Sequence, residues 1–266
     1  MIIKFQKFQG AGNDFIIIDN RNQVYEFTRE IVEYFCDRKF GIGADGLMLL
    51  ETCPGYDFKM RYFNSDGREA SLCGNGSRCI VAYAHRLGLF LQTTRFLAAD
   101  GEHQGEITLQ GVRVKMNDVS RITVTPDYFF LDTGSPHYVK VVADAFQTVV
   151  TAGRMIRYAP SFQPGGTNVN FITPTPACIR IATYERGVED ETLACGTGCV
   201  AAALSAALLN HDHSGTYTLQ TKGGILKVSF KQLADNHFTD IWLEGPAEFV
   251  FAGEIETPQN RDKKAM

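Results

Sequence analysis

The chain carries one cysteine-centred cassette twice, as Cys73-Gly74-Asn75-Gly76 and as Cys195-Gly196-Thr197-Gly198, 122 residues apart. The same offset pairs Gly12 with Gly134, Phe40 with Phe162, Gly43 with Gly165, Tyr62 with Tyr184 and Glu69 with Glu191, and further on Ala84 with Ala206, Leu87 with Leu209 and Gly101 with Gly223. No gap is needed over that whole span. A register held this long implies two copies of one supersecondary unit, diverged except where backbone or chemistry is constrained. Because the repeat is only two-fold, a solenoid or propeller is not expected.

Each copy reads as strands, then a cassette that opens a helix, then a hairpin. In the first copy, Ile2 to Phe8 and Phe15 to Asp19 are apolar and β-branched, and Thr28 is placed to cap a helix whose Ile31, Val32 and Phe35 share a face. Further strands are expected near Leu47 to Glu51 and Phe58 to Phe63. Arg78 to Leu87 has apolar residues at helical spacing and stops at Gly88, suited to a left-handed cap. Val200 to Leu209 is apolar nearly all round, the mark of a helix enclosed by its own domain, and Asn210 stands where Gly88 stood. Asp100-Gly101 and Gly223-Gly224 read as hairpin turns, and the stretches at 112–116 and 241–243 as strands. The domain boundary is expected within 117–125, giving domains at 1–120 and 121–252, with 253–266 returning to the first and 260–266 frayed.

A chain of 266 residues with a net charge of −4 has ample core and no polycationic surface, so a nucleic-acid partner is not expected. No apolar run reaches 18 residues and the N-terminal segment is broken by Lys4, Gln6 and Lys7, so neither a membrane span nor a signal peptide is read, and a cytoplasmic location is expected. Seven cysteines, an odd number in such a chain, point to reduced thiols rather than a disulfide framework. A zinc site built from Cys73, Cys79, Cys195 and Cys199 is disfavoured by the five residues that separate the first pair.

A cysteine at the first turn of a helix, followed by Gly-x-Gly, sits among unpaired backbone N–H groups at the positive end of the helix dipole. That setting lowers a thiol pKa and binds anions, a carboxylate above all. Two such helix ends holding one small carboxylate would place a thiol on each side of the adjoining carbon. This is the requirement of a cofactor-independent amino-acid racemase or epimerase, in which one thiolate removes the α-proton and the opposite thiol returns one to the other face. The alternative is that the glycines are small residues where helices pack.

The chain resembles the diaminopimelate epimerase family through Gln9-Gly10-Ala11-Gly12-Asn13-Asp14-Phe15, Phe63-Asn64-Ser65-Asp66-Gly67, both cassettes, Ser135-Pro136-His137, Asn168-Val169-Asn170-Phe171 and Tyr184-Glu185-Arg186-Gly187. The resemblance implies an α+β fold of two pseudo-symmetric α/β domains, each a curved, barrel-like mixed sheet around a central helix. It also implies a homodimer that uses neither pyridoxal phosphate nor metal and interconverts LL- and meso-diaminopimelate in lysine and cell-wall precursor synthesis. Carried over, it makes Cys73 and Cys195 the acid/base pair and gives the reacting carboxylate to Gly74, Asn75, Gly196 and Thr197. Asn13, Asn64, Asn168, Glu185 and Arg186 would recognise the amino groups and the distal end of the substrate, and His137 and Glu185 would tune the thiols. The chain departs from many members in having Ser135 rather than Asn before the Pro-His pair, so Ser135 would meet substrate directly or through water. Gly46, aligned by the repeat with Asn168, offers no side chain.

Other readings remain. A relative acting on another amino acid, such as a histidine racemase, would be expected to alter the distal set Asn64, Asn168 and Arg186, which is intact here. A non-catalytic binding protein would not need its cysteines, and a cysteine acyl transferase would leave the second cassette unexplained.

Overall fold

A computed structural model describes residues 1–70 and 73–257. Its elements in chain order are β1 (Ile2–Gly10), β2 (Asn13–Asp19), α1 (Arg29–Cys36), β3 (Gly46–Glu51), β4 (Phe58–Asn64), β5 (Glu69–Ala70), α2 (Gly74–Arg86), β6 (Thr93–Ala98), β7 (Gly101–Thr108) and β8 (Gly111–Lys115). There follow β9 (Ile122–Val124), β10 (Phe129–Asp132), β11 (Pro136–Val141), α3 (Val149–Arg157), β12 (Asn168–Pro174), β13 (Ile179–Glu185), β14 (Asp190–Thr192), α4 (Gly196–Asn210), β15 (Ser214–Thr221), β16 (Gly224–Ala234), β17 (His237–Gly245) and β18 (Glu248–Glu256). The chain forms two compact units. One comprises Met1–Val114 and the described chain from Pro246 onward; the other is Lys115–Gly245. The C-terminal return is made by β18, which runs antiparallel to β1 from Ile2↔Glu256 to Gln9↔Glu248. The fraying expected at 260–266 lies outside the described residues. Among the described residues, no helix is long and apolar enough to cross a membrane.

In the first unit β1 pairs with β2, β2 runs parallel to β3, β3 pairs with β4, β4 runs parallel to β6, and β6, β7 and β8 form a meander. Strands β2 and β3 are buried on both faces, so they are near-continuous apolar runs, and alternation divides their side chains between two helices. Ile16, Ile18, Leu47, Leu49 and Phe63 pack against Val32 and Phe35 of α1. Phe15 and Met48 point the opposite way, under the first turn of α2. Thr28 caps α1 by accepting the Ile31 N–H, as its sequence predicts.

The second unit repeats this order. Strand β10 pairs with β9 and β11, β11 runs parallel to β12, β12 pairs with β13, β13 runs parallel to β15, and β15, β16 and β17 form the meander. The repeat register survives in the parallel ladder, where Phe15↔Gly46 in one unit corresponds to His137↔Asn168 in the other. The outer face of this sheet packs Tyr138, Val169, Phe171, Ala182 and Tyr184 against Val149 of α3. The inner helix α4 touches β10, β11, β12, β13, β15, β16 and β17, and it is buried from Gly198 through Ala207. Enclosure is what its nearly all-apolar sequence requires, with Ser205 turning its hydroxyl back to the Ala201 carbonyl. Shortening Leu204 to alanine inside it would cost about 2–5 kcal/mol.

One capping expectation is corrected. Gly88 is left-handed after α2, with φ of 73°, but after α4 the left-handed residue is His211, with φ of 59°, while Asn210 is still helical. Helix α4 runs two residues further than its counterpart, so the cap moved with it. The hairpin turns expected at 100–101 and 223–224 fall at 99–100 and 222–223, each with a positive-φ glycine opening the next strand.

Candidate active site

The site residues fall in two groups, one in each unit, and both are built around the N-terminus of the inner helix. Cys73 is the N-cap of α2 and Cys195 that of α4, with nearly the same extended backbone (φ −120°, ψ 116° and φ −112°, ψ 114°). Each carbonyl starts its helix by accepting an N–H four residues on, from Ser77 at 2.7 Å and from Cys199 at 2.9 Å. The first-turn amides beyond each cysteine have no intrahelical acceptor, which makes each cassette an anion-binding end. The last glycine of each cassette also has a packing reason: a Cβ on Gly76 would stand 3.1 Å from Met48, and one on Gly198 would stand 2.5 Å from Asn170 Oδ1.

In the first group the half-buried Cys73 thiol donates to Asn13 Oδ1 at 3.6 Å, and Asn75 Nδ2 donates to the same oxygen at 3.4 Å. Both amides are held in one orientation. Arg78, fully buried beneath the helix start, donates to Asn75 Oδ1 at 2.9 Å and to the Gly74 carbonyl at 3.3 Å. Asn13 Nδ2 donates to Asp45, which belongs to a charged network with Asp14, Lys7 and Arg38. Burial alone would raise the Asp14 pKa, but hydrogen bonds from Arg38 and Lys7 outweigh it and hold this carboxyl at about 2. Asn64 stands apart from this cluster, opposite Gly46 in the β3–β4 ladder, and its Oδ1 accepts the Tyr62 hydroxyl at 2.8 Å. Tyr62 also explains Gly46, since a Cβ there would meet the Tyr62 ring at 2.6 Å and the Phe63 carbonyl at 2.7 Å.

In the second group Cys195 is buried, and Thr197 Oγ1 lies 3.5 Å from its sulfur. His137 is fully buried behind Thr197, its Nε2 lying 3.0 Å from Thr197 Oγ1 and 3.1 Å from Ser135 Oγ. Asn168 Nδ2 donates to Ser135 Oγ at 3.0 Å and to the Pro136 carbonyl at 3.2 Å, while its Oδ1 accepts the Arg186 backbone N–H at 2.8 Å. Asn168 therefore ties Ser135 to the turn that carries Arg186. Glu185 accepts the Thr192 hydroxyl at 2.8 Å. Burial pushes the Cys195 thiol well above its usual pKa and the Glu185 charge adds to this, whereas the Thr197 hydroxyl and the Gly198 N–H pull it down. Burial also drives His137 down to about 3, assisted by the Arg186 charge, so its ring is neutral at physiological pH.

The repeat organises these residues as well. At the 122-residue offset Cys73 stands for Cys195, Gly74 for Gly196, Asn75 for Thr197 and Asn13 for Ser135. Sequence reasoning assigned no role to Asn170, Thr183, Asp45 or Arg78. Asn170 had a readable signal, since it lies two residues after Asn168 on a strand and so on the same face. Buried Arg78 had none, because in sequence it is one more charge on a helix.

The family profile described as diaminopimelate epimerase matches residues 5–122 and 129–250 of the chain. A diaminopimelate epimerase of Flavobacterium psychrophilum is 46% identical over 258 residues, covering 95% of this chain and 100% of that one. The enzyme of the same name from Chlorobaculum tepidum is 44% identical, covering 92% and 98%. Among solved structures, a phenazine biosynthesis protein of the PhzF family from Bacillus anthracis superposes with a TM-score of 0.77 at 14% identity, covering 96% of this chain and 99% of that one. A probable proline racemase from Agrobacterium radiobacter K84 gives a TM-score of 0.69 at 15% identity, with 96% and 93% covered. At those identities the solved structures establish the shared α+β fold, while the sequence relatives establish more: the chain belongs to the diaminopimelate epimerase family.

Proposed function

We propose that the chain interconverts LL- and meso-2,6-diaminopimelate by proton transfer at one α-carbon, on the route to lysine, with Cys73 and Cys195 as the acid/base pair and no cofactor. The observation that carries this reading is the equivalent placement of two thiols, each the N-cap of an inner helix that begins Gly-x-Gly, in a chain of this family. In one direction a cysteine thiolate takes the α-proton and becomes a thiol. The electron pair left on carbon is delocalised into the adjacent carboxylate, and the other cysteine gives its proton to the opposite face and becomes the thiolate. The reverse reaction exchanges the roles, so no oxidant or further acid is consumed.

The hard step is forming the carbanion, because an α-proton is far less acidic than a thiol. Charge developing on the carboxylate must meet donors that are already in place. The first-turn amides at Gly74, Asn75, Gly196 and Thr197 are such donors, and losing one donor of this kind typically costs about 2.7–4 kcal/mol of barrier. The raised pKa of Cys195 suits a group that must hold a proton until the carbanion calls for it. At the distal end, the planar fork of Arg186 suits a carboxylate and Asn64 suits a polar group of a second amino-acid end. Asn168, its two amide hydrogens given to Ser135 and the Pro136 carbonyl, acts by holding Ser135 and the Arg186 turn in place.

The test is proton NMR of the reduced protein with LL-diaminopimelate in deuterium oxide. Loss of one α-proton signal together with appearance of the meso isomer is the expected result. Exchange with another amino acid and none with diaminopimelate would shift the reading to a relative of changed specificity, and no exchange with any amino acid would leave a binding role.

A further inference from the structure

Beneath Cys195 lies a chain of buried side chains whose donors and acceptors can be ordered without ambiguity. Asn170 is fully buried in β12, and its Nδ2 lies 3.1 Å from the Tyr138 carbonyl oxygen, which can only accept. Its Oδ1 takes the hydroxyl hydrogen of Thr183 at 2.9 Å. The amide is thereby fixed, and the second hydrogen of Nδ2 points at His137 Nδ1, 3.0 Å away. An amide nitrogen cannot accept a hydrogen bond, so His137 Nδ1 must be the unprotonated nitrogen of the ring.

We propose that Asn170 is a positioning residue that locks His137 in its Nε2–H tautomer and so turns the hydroxyls of Thr197 and Ser135 into donors facing away from the imidazole. With Nδ1 accepting, the single ring hydrogen of a neutral, fully buried His137 sits on Nε2, between Thr197 Oγ1 at 3.0 Å and Ser135 Oγ at 3.1 Å. Ser135 Oγ also receives Asn168 Nδ2. Each oxygen is thus occupied as an acceptor on its inner side, and each keeps its own hydrogen for another partner. For Thr197 that partner is the Cys195 sulfur at 3.5 Å. The sulfur then receives a hydrogen bond that favours its thiolate, and when it is a thiol its own proton is not spent on Thr197. For Ser135 the free hydrogen is available to a carboxylate or other acceptor of a bound ligand. The opposite tautomer would reverse the chain: Nε2 would draw in one of the two hydroxyl hydrogens, and that oxygen would become an acceptor with nothing to give. The catalytic part of this inference rests on Cys195 acting as an acid/base residue; the tautomer does not.

The test is long-range proton–nitrogen correlation NMR of full-length protein labelled with 15N-histidine, with the His137 signals identified by their loss in His137→Phe. Wild-type protein should show an unprotonated Nδ1 and a protonated Nε2. In Asn170→Asp and in Asn170→Leu, which leave no fixed amide donor at that position, Nδ1 should gain proton occupancy. Turnover of LL-diaminopimelate should then fall at least about 10-fold, because the ring would carry its hydrogen on the wrong nitrogen. A wild-type ring protonated at Nδ1 overturns the proposal, and so does a ring that stays purely Nε2–H in both variants. Because the nitrogen spectrum is read without substrate, a wild type inactive on diaminopimelate would count against the proposed reaction and not against the tautomer lock.

Discussion

The two units build the same floor beneath the same helix start and furnish it oppositely. Under α2 lie Phe15, Met48 and Tyr62, with the Phe15 and Tyr62 rings edge to face at 6.1 Å. At the 122-residue offset Phe15 becomes His137 and Met48 becomes Asn170. Across the sheet Met48 faces Tyr62 but Asn170 faces Thr183, because the second antiparallel ladder is shifted by one residue from the repeat register. The largely apolar floor supports its cassette by packing Met48 and Phe15 against Gly76. The polar floor supports it by a hydrogen-bond chain from the Tyr138 carbonyl through Asn170 and His137 to Thr197. Orientation in the first unit comes from elsewhere: Arg78 sets Asn75, and Asp45 sets Asn13. A duplicated backbone therefore needs only a set of oriented groups beside each sulfur, and charge or a buried network can supply it equally well.

The largest effect should come from the element that the two units share. Cys73→Ala and Cys195→Ala are each expected to lower turnover by about 10²–10⁴-fold, the range for losing a proton-transfer group, in steady-state assays with either isomer. Wild-type turnover in one of them would end the equivalence of the two groups. Next, His137→Phe installs the side chain that the first unit carries at that position. It strands Asn170 and Thr197, so turnover should fall, and denaturant unfolding should show a loss of about 1–3 kcal/mol. The reciprocal exchange, Met48→Asn, puts an amide against Phe15 with no partner built for it. It should cost about 1–3 kcal/mol by the same measurement, and a neutral result would mean that the floor of the first unit tolerates polarity.

The smallest effect concerns the charges that orient Asn13. Asp14 titrates at about 2 in the folded protein against an ordinary 3.8. With its folded value depressed, its contribution is fully present above pH ~4 and fades as the pH falls through ~2. Asp14→Asn should therefore cost about 1–2 kcal/mol at neutral pH and close to nothing near pH 2, read from unfolding curves across that range. A cost that did not change with pH would show that Asp14 acts through packing and not through Lys7 and Arg38.

Much of the architecture was legible without coordinates, because it follows from periodicity and repetition. The start of each inner helix at a cysteine, the Thr28 cap, the enclosed character of α4 and the strands near 2–8, 15–19, 47–51 and 58–63 all reside in local pattern. The second left-handed cap was misplaced by one residue, since helix length near a C-terminus is settled by packing and not by the residue type at one position. In the site, residues carried by motifs were legible. Those that orient the motif residues were not, because Asp45, Arg78 and Thr183 reach their partners only when strands and helix are assembled.

What the sequence by itself determined is the duplication, the two thiols at helix starts and the chemistry that such a pair allows, since all three depend on residue type and spacing along the chain. What only the tertiary structure decided is direction: which way the Asn13, Asn75 and Asn170 amides face, which nitrogen of His137 holds the hydrogen, and why Gly46 must lack a side chain. Those outcomes depend on atoms far apart in the chain meeting within about 3 Å, where a carbonyl or a guanidinium leaves one hydrogen-bonding arrangement open.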